Sequence, residues 1–147
     1  MRVKDLEKAR ISTPSFVYDE NNILESLQMI GRVIPKQLCK ILFPLKSFAL
    51  IDALRLMVPL IDGFSGSSVF EVKLAREIAK KNSSVHLTTP GLKPDEVEAV
   101  SVLCDYISLN SWRQWEQYHD RFCGEVSCGI RVNPQLSFVK DERYDPL

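Results

Sequence analysis

The 147-residue chain balances 19 Lys and Arg against 19 Asp and Glu, with 45% hydrophobic and 26% charged residues. That is the make-up of a single soluble globular domain with enough apolar residues for a sizeable core. The even charge has no dense basic run and gives no footprint for nucleic acid, and no apolar stretch is long enough to span a membrane.

The N-terminal segment Met1 to Lys8 is charged and lacks the apolar core of an export signal, so a cytoplasmic location is expected. Cys39, Cys104, Cys123 and Cys128 contain no Cys-x-x-Cys pair and read as reduced thiols. His86 and His119 stand far apart without ligand spacing, so no metal is expected.

In chain order, Phe16-Val17-Tyr18 reads as a short strand. Asp19 is placed to cap a helix carrying Ile23, Leu24, Leu27, Ile30 and Val33 on one face, stopped by Pro35. Lys40 to Leu45 is an apolar strand, and Ser47 is the expected cap of a second helix over Phe48 to Val58. Leu60 to Phe64 is the next strand. Ser68-Val69-Phe70-Glu71 has capping-box spacing and opens a helix through Val72, Ala75, Ile78 and Ala79. Val85 to Thr88 is a strand, and Pro94 suits the first turn of a helix with Val97 and Val100. Tyr106 to Leu109 is a strand. Asn110 or Ser111 caps a helix with Trp112, Trp115, Tyr118 and Phe122. Cys128 to Val132 is the last strand.

Strict strand–helix alternation with short connections argues a parallel sheet with crossover helices. A closed (β/α) barrel needs eight such steps in typically about 250 residues. Roughly five are present after the first short strand, by strand counting of this kind. A doubly wound open sheet fits the length, but no Gly-x-Gly-x-x-Gly loop follows any strand. The chain therefore reads as the first part of a barrel, spanning residues 1–147.

Lys46 stands at the end of the apolar run Ile41-Leu42-Phe43-Pro44-Leu45. An ammonium in an apolar strand end faces a desolvation cost that lowers its pKa, as a Schiff-base lysine requires. The alternative is a lysine that snorkels to water. Thr88-Thr89-Pro90-Gly91 offers hydroxyls for an anion, or is simply a turn. The Trp112, Trp115 and Tyr118 stripe reads as core or interface.

Several segments together resemble carboxynorspermidine (carboxyspermidine) decarboxylases, which are alanine-racemase-like, fold-type III pyridoxal-phosphate enzymes. The segments are Thr13 to Asp19, Lys40 to Ala49, Asp62 to Glu77, Asn110 to Glu116, Gly129 to Pro134 and Tyr144-Asp145-Pro146. They follow one another in the order of that family's N-terminal half. The resemblance implies a partial (β/α)8 barrel after which the remaining strands and a β-domain are missing. It implies that Lys46 carries pyridoxal phosphate and that a carboxylated polyamine loses carbon dioxide to give norspermidine or spermidine. Arg131 is implied near the cofactor ring, with a salt bridge at the barrel mouth as its alternative. Ser68 and Glu71 match residues near the cofactor, with a plain capping box as theirs. In the family, the glycine-rich phosphate loop, the ring-stacking histidine and the acidic partner of the pyridine nitrogen lie downstream, and the full-length enzymes are expected to be homodimers. Pro44, inside the lysine strand, departs from the small residue usual there.

Two other readings stay open: a non-catalytic remnant or split-gene half that pairs with a separate C-terminal chain, and a small pyridoxal-phosphate carrier. A partial barrel is also expected to leave strand edges and an apolar inner face uncovered, making the isolated chain marginally stable and prone to aggregation.

Overall fold

The computed structural model describes residues 11–35, 38–122, 126–141 and 143. The readings made on Met1 to Lys8, Cys123 and Tyr144-Asp145-Pro146 lie outside the described residues.

Helix α1 (Glu20–Val33) starts where expected. The Asp19 carboxylate accepts from the backbone N–H groups of Asn21 and Asn22 at 3.0 and 3.3 Å, satisfying donors that the first turn leaves unpaired. Leu27 is buried, whereas Met29 and Val33 lie open to solvent. Phe16 to Tyr18 forms no strand. A β-rich triplet without a ladder partner has nowhere to place its backbone bonds, and the Phe16 ring is fully exposed.

Five parallel strands follow: β1 (Leu42–Pro44), β2 (Gly63–Gly66), β3 (Ser84–Thr88), β4 (Tyr106–Leu109) and β5 (Ser127–Ile130). They lie in sequence order across the sheet. The crossovers are α2 (Ile51–Met57), α3 (Val69–Ile78), α4 (Val97–Leu103) and α5 (Trp112–Tyr118), the last continued by a 3₁₀ turn over His119–Phe122. Because parallel crossovers share one hand, strands laid down in sequence order place every crossover helix on the same side. A doubly wound sheet would need a reversal of strand order, and there is none. The chain is an arc of a (β/α) barrel, as the strand–helix count expects.

The two faces of this sheet differ in composition. Register places Phe64 beside Val85, Leu87 beside Ile107 and Leu109 beside Ile130 on the helix side. Phe64, Val85, Leu87, Ile107 and Leu109 are all at most 1% exposed. They pack with Leu54, Val72, Ala75, Val97 and Val100 of the helices in one core. The other face carries the row Pro44, Ser65, His86, Tyr106, Ser127, and the next row holds Thr88, Ser108 and Gly129. The expectation of an apolar inner face is therefore corrected: among the described residues the helix-free side is mostly small and polar.

At the N-terminal ends of the strands, two aspartates tie neighbouring strands together. Asp62 accepts from the Ile41 N–H and Asp105 from the Val85 N–H, both at 2.7 Å. Arg76 of α3 joins the second of these, donating to Asp105 Oδ2 and to the Leu103 carbonyl at 2.8 Å each. These bonds stitch the end of the barrel arc opposite the candidate site.

Two local readings change. Ser47 does not cap α2; its hydroxyl donates to the Pro44 carbonyl at 2.7 Å, inside a 3₁₀ turn over Leu45–Ser47. Pro44 also loses its anomaly. It ends β1, an edge strand of the five, where a missing ladder donor is tolerated.

Candidate functional site at the strand C-termini

The turn that follows β1 positions Lys46. Leu45 is 1% exposed and anchors the turn in the core, so the next side chain, Lys46, is held at the C-terminal end of the sheet. There it lines a cavity of about 190 Å³. Strand β1 also contributes Pro44; β2 and its loop contribute Ser65, Gly66 and Ser67; β3 and its loop contribute Thr88 and Pro90. Arg131, one residue past β5, completes it. The Arg131 N–H donates to the Leu109 carbonyl at 2.7 Å, so the backbone holds the β-ladder line up to the cavity wall.

Lys46 and Arg131 come from the first and last strands of the sheet. In a flat sheet, strands four steps apart are separated by about 19 Å at the usual inter-strand spacing. That both side chains line one small cavity requires the sheet to curl, as a barrel does. The curvature, together with the long side chains, brings two distant cations to one mouth.

Lys46 is exposed in this chain. The desolvation expected of a buried strand end is therefore not supplied by the described residues around it. What the chain supplies is a backbone position anchored by buried Leu45 and an open approach to the amine. No carboxylate lines the cavity among the described residues, so the salt-bridge alternative for Arg131 has no partner on the cavity wall.

The donor set suits an aldehyde-bearing aromatic phosphate such as pyridoxal phosphate. It combines one primary amine, one planar guanidinium suited to anionic oxygens, and the hydroxyls of Ser65, Ser67 and Thr88. No group of three potential metal-ligating side chains occurs among the described residues.

Ser68 and Glu71 behave as the capping-box spacing expects, with a shift of one residue. Ser68 Oγ accepts from the Glu71 N–H at 3.3 Å, while Glu71 Oε2 accepts from the Ser67 N–H at 2.6 Å and the Ser67 hydroxyl at 3.0 Å. Neither lines the Lys46 cavity. Ser68 instead borders a second cavity of about 340 Å³, with Phe70, Thr89, Lys93 and Glu96. Through Ser67, however, the Glu71 carboxylate fixes a residue that faces both cavities.

Thr88 to Gly91 forms a wall between the two spaces. Thr88 and Pro90 face the Lys46 cavity, and Thr89 and Gly91 face the other. The Thr89 hydroxyl is used within the turn, donating to the Gly91 carbonyl at 2.8 Å. Of the aromatic stripe, Tyr118 and Phe122 are core, whereas Trp112 is exposed and donates to Glu116 at 2.8 Å. Burial pushes the Cys104 thiol up to about 12, which makes it an inert core residue.

Thr88, read from the sequence as a possible anion contact or a plain turn, lines the Lys46 cavity, and so do Ser65 and Ser67, which the sequence reading does not single out. Their signal was available: each lies at or just past the C-terminal end of a strand, where barrels build sites.

The fold and the mouth together define a (β/α)-barrel arc with an amine and a guanidinium at its functional end. Comparisons with known proteins show what this chain is similar to. The chain is 32% identical over 98% of its length to a carboxyaminopropylagmatine decarboxylase of Synechocystis, covering 38% of that protein. It is 32% identical over 92% of its length to a carboxynorspermidine/carboxyspermidine decarboxylase of Herminiimonas arsenicoxydans, covering 36% of it. A crystal structure of Campylobacter jejuni carboxynorspermidine decarboxylase complexed with norspermidine matches 86% of the chain with a TM-score of 0.79 and 27% identity, over 34% of that chain. No protein-family model matches. The chain thus resembles the carboxynorspermidine decarboxylases and their relatives, as its motif order expects, and spans little more than a third of the curated relatives it matches. No helix among the described residues is long and apolar enough to cross a membrane.

Proposed function

We propose that this chain is the lysine-bearing part of a pyridoxal-phosphate-binding barrel domain whose enzyme decarboxylates a carboxylated polyamine. The observation that carries this reading is the meeting of Lys46 and Arg131 in one cavity at the strand C-termini. The relatives' names supply the substrate class: carboxynorspermidine, carboxyspermidine or carboxyaminopropylagmatine.

In this reading Lys46 would hold the cofactor through its side-chain amine, which lines the cavity. Arg131 would pair with the cofactor's anionic oxygens, and Ser65, Ser67 and Thr88 would orient its polar atoms by hydrogen bonds. Glu71 and Ser68 act at one remove, by fixing Ser67 through the α3 cap. When bound, pyridoxal phosphate supplies the electron sink that lets a carboxylate leave as carbon dioxide. Among the described residues the cavity wall carries no carboxylate to pair with a pyridine nitrogen, so the 147-residue chain by itself is expected to bind the cofactor weakly and to release no carbon dioxide.

The test is incubation with pyridoxal phosphate, borohydride reduction and peptide mapping, beside carbon dioxide release from each of the three substrates. Label confined to Lys46 without turnover is the expected result. Label at another lysine rejects the site. Robust turnover by the chain alone rejects the statement that it lacks necessary groups.

A further inference from the structure

The helix-free face of the sheet has a floor that nothing above uses. Pro44, Ser65, His86, Tyr106 and Ser127 lie in one cross-strand row. The first two members of that row line the Lys46 cavity. His86 is the registered neighbour of Ser65 on the adjacent strand, at the inter-strand spacing of about 5 Å, and sits below Thr88 on the same face of β3, about 6.6 Å back along the strand. Its ring stacks on Tyr106 with centroids 4.3 Å apart and an interplanar angle of 17°. The His86 Nε2 pairs with Ser84 Oγ at 3.2 Å, one step further from the mouth.

Barrel interiors are ordinarily filled by layers of bulky branched residues, which close the space beneath the mouth. In the rows described here the neighbours are Pro44, Ser65, Thr88, Ser108, Ser127 and Gly129, which are small or compact. His86 and Tyr106 are the two large side chains in those rows.

Neither ring is among the residues lining the cavity, but we infer that the stacked His86–Tyr106 pair backs its lining residues Ser65 and Thr88 as a floor one layer down, and so positions the ring of the bound cofactor against Lys46. His86 is thereby a positioning residue of the site. This rests on the pyridoxal-phosphate reading of the cavity. The pair sets how deep a planar ligand sits. A smaller group at position 86 would open the space beneath Ser65 and Thr88 and let the ligand drop away from the amine.

His86 and His119 are the only histidines of the chain, and His119 lies on the helix side, stacked on Trp115. This allows a test with an internal control. The 147-residue chain is treated with diethyl pyrocarbonate before and after pyridoxal phosphate has been reduced onto it, and both histidines and all lysines are mapped by mass spectrometry. The expected result is label at Lys46, at least five-fold slower modification of His86 in the loaded chain, and an unchanged rate at His119. In parallel, His86→Ala is expected to lower Lys46 labelling several-fold relative to the other lysines, and His86→Phe, which refills the floor, to restore it. Label at Lys46 with His86 unprotected overturns the floor assignment and leaves the cofactor reading standing. Restoration failing in a His86→Phe variant whose circular dichroism matches the parent also overturns it. Absence of label at Lys46 in the unsubstituted chain overturns the cofactor reading, and the floor assignment falls with it.

Discussion

The two faces of the five-stranded sheet are built from alternate residues of the same strands, yet they obey different rules. On β2, Phe64 points to the helices and is fully buried, while its neighbour Ser65 points away and lines the Lys46 cavity. On β3, Val85 and Leu87 are core while His86 and Thr88 belong to the other side. The helix-covered face carries the stability of the chain, since apolar area leaves water there. The helix-free face carries the polar groups and little packing. One strand thus separates folding from chemistry by its two-residue period alone.

The sharpest way to break this comparison is a pair of substitutions one residue apart. Phe64→Ala is expected to cost about 3–5 kcal/mol in urea unfolding, the usual loss for truncating a fully buried phenylalanine. Ser65→Ala is expected to stay within about 0.5 kcal/mol, as for surface changes generally, while reducing borohydride-trapped label at Lys46. Equal destabilisation by both would show that the helix-free face is also a folding core.

Next in size is the α3 cap, which joins the two faces. Ser68→Ala removes the acceptor for the Glu71 N–H and is expected to cost about 1 kcal/mol, the typical loss at an N-cap. Glu71→Ala frees Ser67 and is expected to weaken Lys46 labelling more than Ser68→Ala does, because Glu71 holds both polar groups of Ser67. The reverse order would place Ser68 itself in the cofactor site.

Smaller effects come from acid. Burial is the largest influence on His86 and holds its pKa below the ordinary 6.5; nearby Asp105 raises it and Lys40 lowers it further. The unfolded chain therefore takes up this proton first, and stability declines as pH falls from 6.5 towards the folded value, then levels. For Asp105, partial burial works upward, but the Val85 N–H and Arg76 outweigh it and hold the carboxyl below its ordinary 3.8. Its contribution is present above 3.8 and is lost as pH falls through the lower folded value. Urea midpoints measured against pH are expected to show both declines. His86→Phe is expected to erase the upper one and Asp105→Asn the lower. An upper decline that survives His86→Phe would assign it to another group.

The smallest expected effect is on the exposed Arg55–Asp52 pair, 3.4 Å apart on α2. Arg55→Ala is expected to change stability by less than about 0.5 kcal/mol, because solvent screens such pairs.

Much of the fold was legible because it rests on short-range rules. The Asp19 and Ser68 caps and the Tyr106–Leu109 strand fall where side-chain chemistry and period place them. Phe16 to Tyr18 misled because strand propensity has no meaning without a neighbouring strand. Ser47 misled because its hydroxyl had a nearer acceptor in the Pro44 carbonyl. Lys46 was legible as the strand-end lysine, but its exposure was not: burial depends on what lies across the mouth, which a strand's own residues do not specify.

By itself, the sequence determined the alternation of strands and helices, the caps that start α1 and α3, and the motif order that points to the decarboxylases, since each depends on residues close together in the chain. Only the tertiary structure decided which residues share the cavity. Lys46 and Arg131 meet because five strands in sequence order curl about their crossover helices, and Ser65, His86 and Tyr106 share a row because parallel register aligned them. Curvature and register are set by packing across the whole sheet, and no local pattern encodes them.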